Sequence, residues 1–96
     1  MQISIRRTSG YADTATQGEI ILQMLRSALR SGANVTIDFD GVTTATSSFA
    51  NTAFVPLLDE FSFDQIKQRL RIVRSTRQIN EMIKRRLDRE SSNVAA

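Results

Sequence analysis

Apolar and polar positions along the chain follow two periods in alternation. Residues 2–6 place Ile3 and Ile5 on one side of an extended segment, which predicts a short half-buried strand ended by Gly10. From Asp13 or Thr16 to about 31, Ile21, Met24, Leu25, Ala28 and Leu29 recur every three or four residues, the stripe of a one-sided helix closed by Ser31-Gly32. Val35-Thr36-Ile37-Asp38-Phe39 is β-branched and apolar at alternate places and stops at the turn former Asp40-Gly41, so it predicts the best strand of the chain. Ala50, Ala53, Phe54, Leu57, Leu58 and Phe61 predict a second helix over 48–61, capped by Ser47 or Ser48 and bent or broken at Pro56. Leu70-Arg71-Ile72-Val73 reads as a third strand. Ser75-Thr76-Arg77-Gln78 reads as a capping box opening a third helix over 76–89, with Ile79, Met82, Ile83 and Leu87 turned inward.

Strand and helix thus alternate three times, which argues for an α/β fold: a small mixed or mainly parallel sheet packed by about three helices. Ninety-six residues support one core, so the expectation is a single domain over 1–90 with a loose tail over 91–96. No internal repeat interrupts this pattern.

Composition narrows the chemistry. With no cysteine and no histidine, the chain has no disulfide, thiolate nucleophile, Cys/His metal site or Ser-His-Asp triad, and the expectation is a non-enzyme without cofactor or metal. The amino end lacks the apolar stretch of a signal peptide and no run is long enough to span a bilayer, so a cytoplasmic protein without membrane contact is expected. The overall charge of +3 hides an asymmetry: residues 1–64 carry −3 and residues 65–96 carry +6. Such a division suits an anionic partner or an oppositely charged protein surface.

Three groups of residues are candidates for function. Between the second strand and the second helix, Thr43-Thr44-Ala45-Thr46-Ser47-Ser48 forms a run of small, mostly hydroxylated residues at the carboxyl end of a strand, where open α/β sheets place their sites and where helix N–H groups can receive an anion. The plainer reading is that a serine there only caps the helix. Asp38 and Asp40 share one face of a strand, but a third acid to complete a Mg²⁺ site is not evident, and turn formation accounts for Asp40 better. Finally, Lys67, Arg69, Arg71 and Arg74, with the basic last helix, could track a nucleic-acid backbone. Against that, Arg77, Glu81, Lys84 and Asp88 alternate in sign along one helix face, and the last aromatic residue is Phe63, so no stacking platform accompanies the basic stretch.

The run Val35 to Val42, followed by Thr46-Ser47-Ser48-Phe49-Ala50-Asn51, resembles the STAS family, shared by anion transporters and bacterial anti-sigma factor antagonists. There a strand ending Asp-x-x-Gly-Val leads through a short loop to Asp-Ser-Ser-Gly and a helix. The closer likeness is to the STAS-like domain family of unknown function, with Asp-Phe-x-Gly-Val, Ser-Ser-Phe-Ala and a helix in register, over about Gly18 to Arg86. The resemblance implies a signalling module that binds a protein partner, a histidine-kinase-like ATPase or another anti-sigma-type regulator. In the antagonists the second serine of the pair is phosphorylated by that partner, which carries over to Ser48 with Ser47 beside it. The implied contact surface is Asp40, Thr44, Thr46, Ser47, Ser48, Phe49, Asn51 and Thr52. Thr46 stands where the antagonists have an acid and Phe49 where they have glycine, so the kinase-facing surface differs; Asn51 occupies a place often acidic in STAS-like relatives.

Overall fold

A computed structural model describes residues 1–95, with side chains through Ser91. The strands are β1 (Gln2–Ser4), β2 (Val35–Asp38) and β3 (Leu70–Val73), all parallel in the order β1-β2-β3. The helices are α1 (Ile5–Thr8), α2 (Ala15–Arg30), α3 (Ser47–Ala53), α4 (Phe63–Arg69) and α5 (Arg77–Ala95), with a 3₁₀ helix over Val55–Asp59. The α/β class and the parallel sheet are as the periodicity implies, and two short helices, α1 and α4, join the three expected ones.

Register explains which side of the sheet is core. Ile3, Ile37 and Ile72 lie side by side, with Val35 beside Leu70 one pleat away, and this apolar face shares one core with α2, α3, α4, α5 and the 3₁₀ helix. The alternate positions point the other way. Gln2 and Arg71 are exposed there, Ser4, Thr36 and Val73 half-buried and Asp38 buried, so this face is mainly polar and partly open. Parallel sheets usually carry cover on both faces, so the open side is a departure to be explained by chemistry rather than by packing.

Helix starts are set by threonine and serine hydroxyls, at positions the pattern only approximated. Thr14 caps α2 in a capping box with Gln17, and Ser62 caps α4 in another with Gln65. The first strand is shorter than 2–6 because the Ser4 hydroxyl accepts from Arg7 N–H at 3.3 Å and starts α1 at Ile5. At α5, the expected Ser75/Gln78 box does not form: Thr76 accepts from Ile79 N–H at 3.3 Å, and Gln78 turns instead to the loop before α3. The tail expected over 91–96 falls mostly outside the described side chains, although helical backbone continues to Ala95.

The single helix expected over 48–61 is two elements. α3 ends at Ala53, and Pro56 sits in the first turn of the 3₁₀ helix, where a missing N–H leaves no hydrogen bond unmade. The proline therefore breaks the helix rather than bending it, and both parts keep their apolar residues on the core, with Phe54 and Leu57 fully buried. Since Pro56 occupies a backbone site it fits, Pro56→Ala should lower stability by about 0.4–1 kcal/mol through a freer unfolded chain. Chemical denaturation of the variant checks this, the expected shift being a small drop in midpoint without a change in slope.

Candidate binding surface at the carboxyl edge of the sheet

The loop between β2 and α3 is held from three directions. Its start is a turn in which Val42 N–H donates to Phe39 carbonyl oxygen at 2.8 Å, with Gly41 at φ 82°, a conformation open to glycine. In its middle, Gln78 of α5 bonds both backbone polar groups of one residue: Ala45 N–H donates to its Oε1 and its Nε2 donates to the Ala45 carbonyl, each at 3.2 Å. The Thr76 hydroxyl donates to the Thr43 carbonyl at 3.1 Å. At its end, Thr46 N–H donates to the Ala12 carbonyl at 2.9 Å and its hydroxyl donates to the Asp13 carbonyl at 2.7 Å.

Thr46, not Ser47 or Ser48, is the N-cap of α3, its hydroxyl oxygen accepting from Phe49 N–H at 3.2 Å. Ser47 and Ser48 are consequently the first two residues of the helix, both exposed. Thr44, Thr46 and Asn51 are exposed beside them and Thr52 is half-buried under α2. Asp40 is exposed at the turn. Phe49 departs from the expected contact surface: its ring is fully buried and meets Phe54 edge to face at 6.3 Å, so it is a core residue that anchors α3. An apolar ring one turn from the cap, on the same side as Ala53, points inward with the rest of the stripe.

Asp38, at the end of β2, has four donors around it. Its carboxylate accepts from Arg74 Nε at 3.0 Å and from Arg74 Nη2, from Asp40 N–H at 2.9 Å, and from Gln2 Nε2 at 3.4 Å. The forked pair with Arg74 is the largest influence, and with the Asp40 N–H it holds the Asp38 carboxyl below its ordinary value of 3.8, outweighing the opposing effect of burial. The same pairing raises the Arg74 guanidinium. Arg74 reaches Asp38 from a left-handed backbone, φ 51°, uncommon for a residue with a side chain. Asp38 is thus a structural clamp between β2 and the segment after β3 rather than a metal ligand, and among the described residues no cluster of acids is placed to hold a metal ion.

The pH consequence follows from the sign of the shift. A carboxyl whose folded pKa lies below its unfolded one contributes stability above about pH 4, lost as the pH falls through the lower folded value. Melting temperature of the wild type should therefore decline on the acid side of pH 3.8, and the gap between wild type and Asp38→Asn should narrow there. A gap constant between neutral and acid pH would show that the clamp does not depend on the charge.

The basic residues expected to follow a nucleic-acid backbone fall in two places. Lys67, Arg69 and Arg71 line a concavity at the amino edge of the sheet, whereas Arg74 lies at the carboxyl edge. Arg69 donates to the Leu29 and Ala33 carbonyls at 2.7 and 2.9 Å, closing the end of α2, and Lys67 lies 5.2 Å from the Phe63 ring. Sequence reasoning missed the two partners that organise the carboxyl edge, Gln78 and Arg74. Arg74 follows β3 directly, and it lies beside the end of β2 because β3 is the parallel neighbour of β2.

This is a small α/β domain whose parallel sheet delivers a pinned, hydroxyl-rich loop to the start of a short helix. The family described as STAS-like domain of unknown function (DUF4325) matches residues 17–80, and the chain belongs to that family. Comparison with curated proteins and with solved structures finds no match. No helix among the described residues is long and apolar enough to cross a membrane.

Proposed function

We propose that this domain is a non-enzymatic regulatory module that docks on a protein partner, a histidine-kinase-like ATPase or another anti-sigma-type regulator, through Thr44, Thr46, Ser47, Ser48 and Asn51, with Asp40 and Thr52 at the margin. Phosphorylation of Ser48, with Ser47 as its neighbour, is the proposed switch. The observation that carries the reading is the division of labour at α3: Thr46 does the capping, so the exposed Ser48 hydroxyl is not required by the fold.

Two further points support it. The loop is fixed by hydrogen bonds to α5 and to the segment before α2, so a partner meets a surface whose ordering cost has been met in folding. A phosphate on Ser48 would add about 1.5–2 negative charges to that surface and alter docking without disturbing the core. The non-enzymatic part of the proposal rests on the missing histidine and cysteine and on Asp38, the most buried acid, being committed to Arg74.

Capture of a partner with the wild-type chain from its host, followed by amide shift mapping of the purified pair, tests the surface. Changes centred on residues 44–48 and 51 are expected. A footprint centred on the exposed side of α5, with the β2–α3 loop untouched, would refute the assignment.

A further inference from the structure

The open polar face of the sheet ends, at its carboxyl edge, in a concavity of about 680 Å³. It is lined by Gln2, Ser4, Asp38, Asp40 and Arg74 and by Arg6 and Arg7 of α1. Three guanidinium groups and two carboxylates therefore share one lining. Arg74 is spent on Asp38, but among the described residues neither Arg6 nor Arg7 has an ion-pair partner, and both are exposed. Arg6 is nonetheless positioned: its side chain lies across Gly41, so closely that a Cβ there would stand 2.8 Å from Arg6 Nη1. The glycine that makes the turn also makes room for the arginine.

Two unpaired guanidiniums on one lining, each a planar fork of donors, suit a doubly charged oxyanion in charge and in donor chemistry. The space exceeds what an ion needs and falls in the range of small-molecule sites, with a lining that is mainly polar. Asp40 is exposed and lies near the Arg74 charge, so the lining also offers an acceptor to hydroxyl groups and repels a second phosphate. A polyphosphate or a nucleic-acid backbone fits such a lining poorly. We propose that this concavity binds the phosphate monoester of a small hydroxylated molecule, its phosphate on Arg6 and Arg7 and its hydroxyl end toward Asp40 and Ser4. The site is distinct from the Ser48 surface, with which it shares only Asp40.

The test uses the full chain, labelled for amide and arginine Nε signals, titrated with inorganic phosphate, glycerol 3-phosphate and glycerol. Saturable shifts are expected at residues 2–7, 38–41 and 74, with glycerol 3-phosphate bound at least as tightly as phosphate and glycerol not bound. Each charge-assisted contact removed should be felt strongly, so Arg6→Gln and Arg7→Gln should each weaken glycerol 3-phosphate by about tenfold, while Arg85→Gln on α5 stays within about twofold of wild type. Both replaced residues are exposed, so the variants should keep the wild-type melting temperature. Shifts that fail to saturate, an equal loss in Arg85→Gln, or binding of phosphate with rejection of glycerol 3-phosphate would each overturn the proposal.

Discussion

Replacing Phe49 with Ala should destabilise the domain by about 3–5 kcal/mol, the range for deleting a fully buried aromatic side chain, because the neighbours refill such a space only in part. The ring is 0% exposed and is the apolar anchor of the first turn of α3. Its loss also removes the edge-to-face partner of Phe54, 6.3 Å away, in the segment that joins α3 to the 3₁₀ helix. For a domain of this size each kcal/mol is worth about 4–8 °C, so thermal unfolding followed by circular dichroism should move down by at least about 12 °C. A residue whose only task was to meet a partner would instead leave the melting temperature unchanged. Phe49→Leu, which keeps most of the volume, should recover a large part of the loss.

The second large effect is at Gly18, on the face of α2 that meets α3. A Cβ there would lie 2.8 Å from the Phe49 carbonyl oxygen, 2.9 Å from Thr52 Cβ and 3.3 Å from Ala53 N. None of these atoms is the free end of a flexible side chain, so Gly18→Ala must push the two helices apart. Overpacking of this kind costs about 1–3 kcal/mol, against about 1 kcal/mol gained from replacing glycine inside a helix. Steric cost should win, and the variant should melt below the wild type. Ser27→Ala, at an exposed position of the same helix, gains propensity without a clash and should melt slightly above it. Opposite signs from the two alanines would show that contact with α3, and not helix propensity, decides the matter at position 18.

These two positions illustrate what sequence pattern can and cannot convey. Gly18 reads as a minor blemish in a helical stripe, since a close approach between helices leaves no periodic trace. Phe49 lies in register with Ala50 and Ala53, so its burial was readable from spacing, yet its place in a motif next to two serines drew it into the contact surface. Val35–Asp38 and Leu70–Val73 were legible because apolar residues alternate there and β-branched ones are frequent. Helix starts were less so. Thr46, Ser47 and Ser48 are all competent caps, and the choice of Thr46 depends on Ala12 and Asp13, which are remote in sequence. Gln78 reads as part of a local capping box for the same reason: its partner, Ala45, is 33 residues away. The clamp of Asp38 by Arg74 required the order of the strands, which periodicity does not supply.

Pro56 shows the opposite limit. Its position eight residues past Ser48 disallowed a regular helix, correctly, but the pattern of Leu57, Leu58 and Phe61 continued at helical spacing and implied continuity. A 3₁₀ turn keeps nearly the same spacing for one turn, so the stripe survives the change of helix type.

The proposed docking function puts the exposed face at the start of α3 against a protein partner, with a charge switch at Ser48. Its most direct test is the affinity of the partner captured by the wild-type chain for Ser48→Ala and Ser48→Asp, compared in one titration at constant salt. A charge placed in a docking surface should weaken binding by about tenfold or more, and loss of the hydroxyl alone should leave it within about twofold. Both variants should melt like the wild type, because Thr46 retains the cap. Equal affinity of Ser48→Asp and wild type, in variants that fold alike, would contradict the claim.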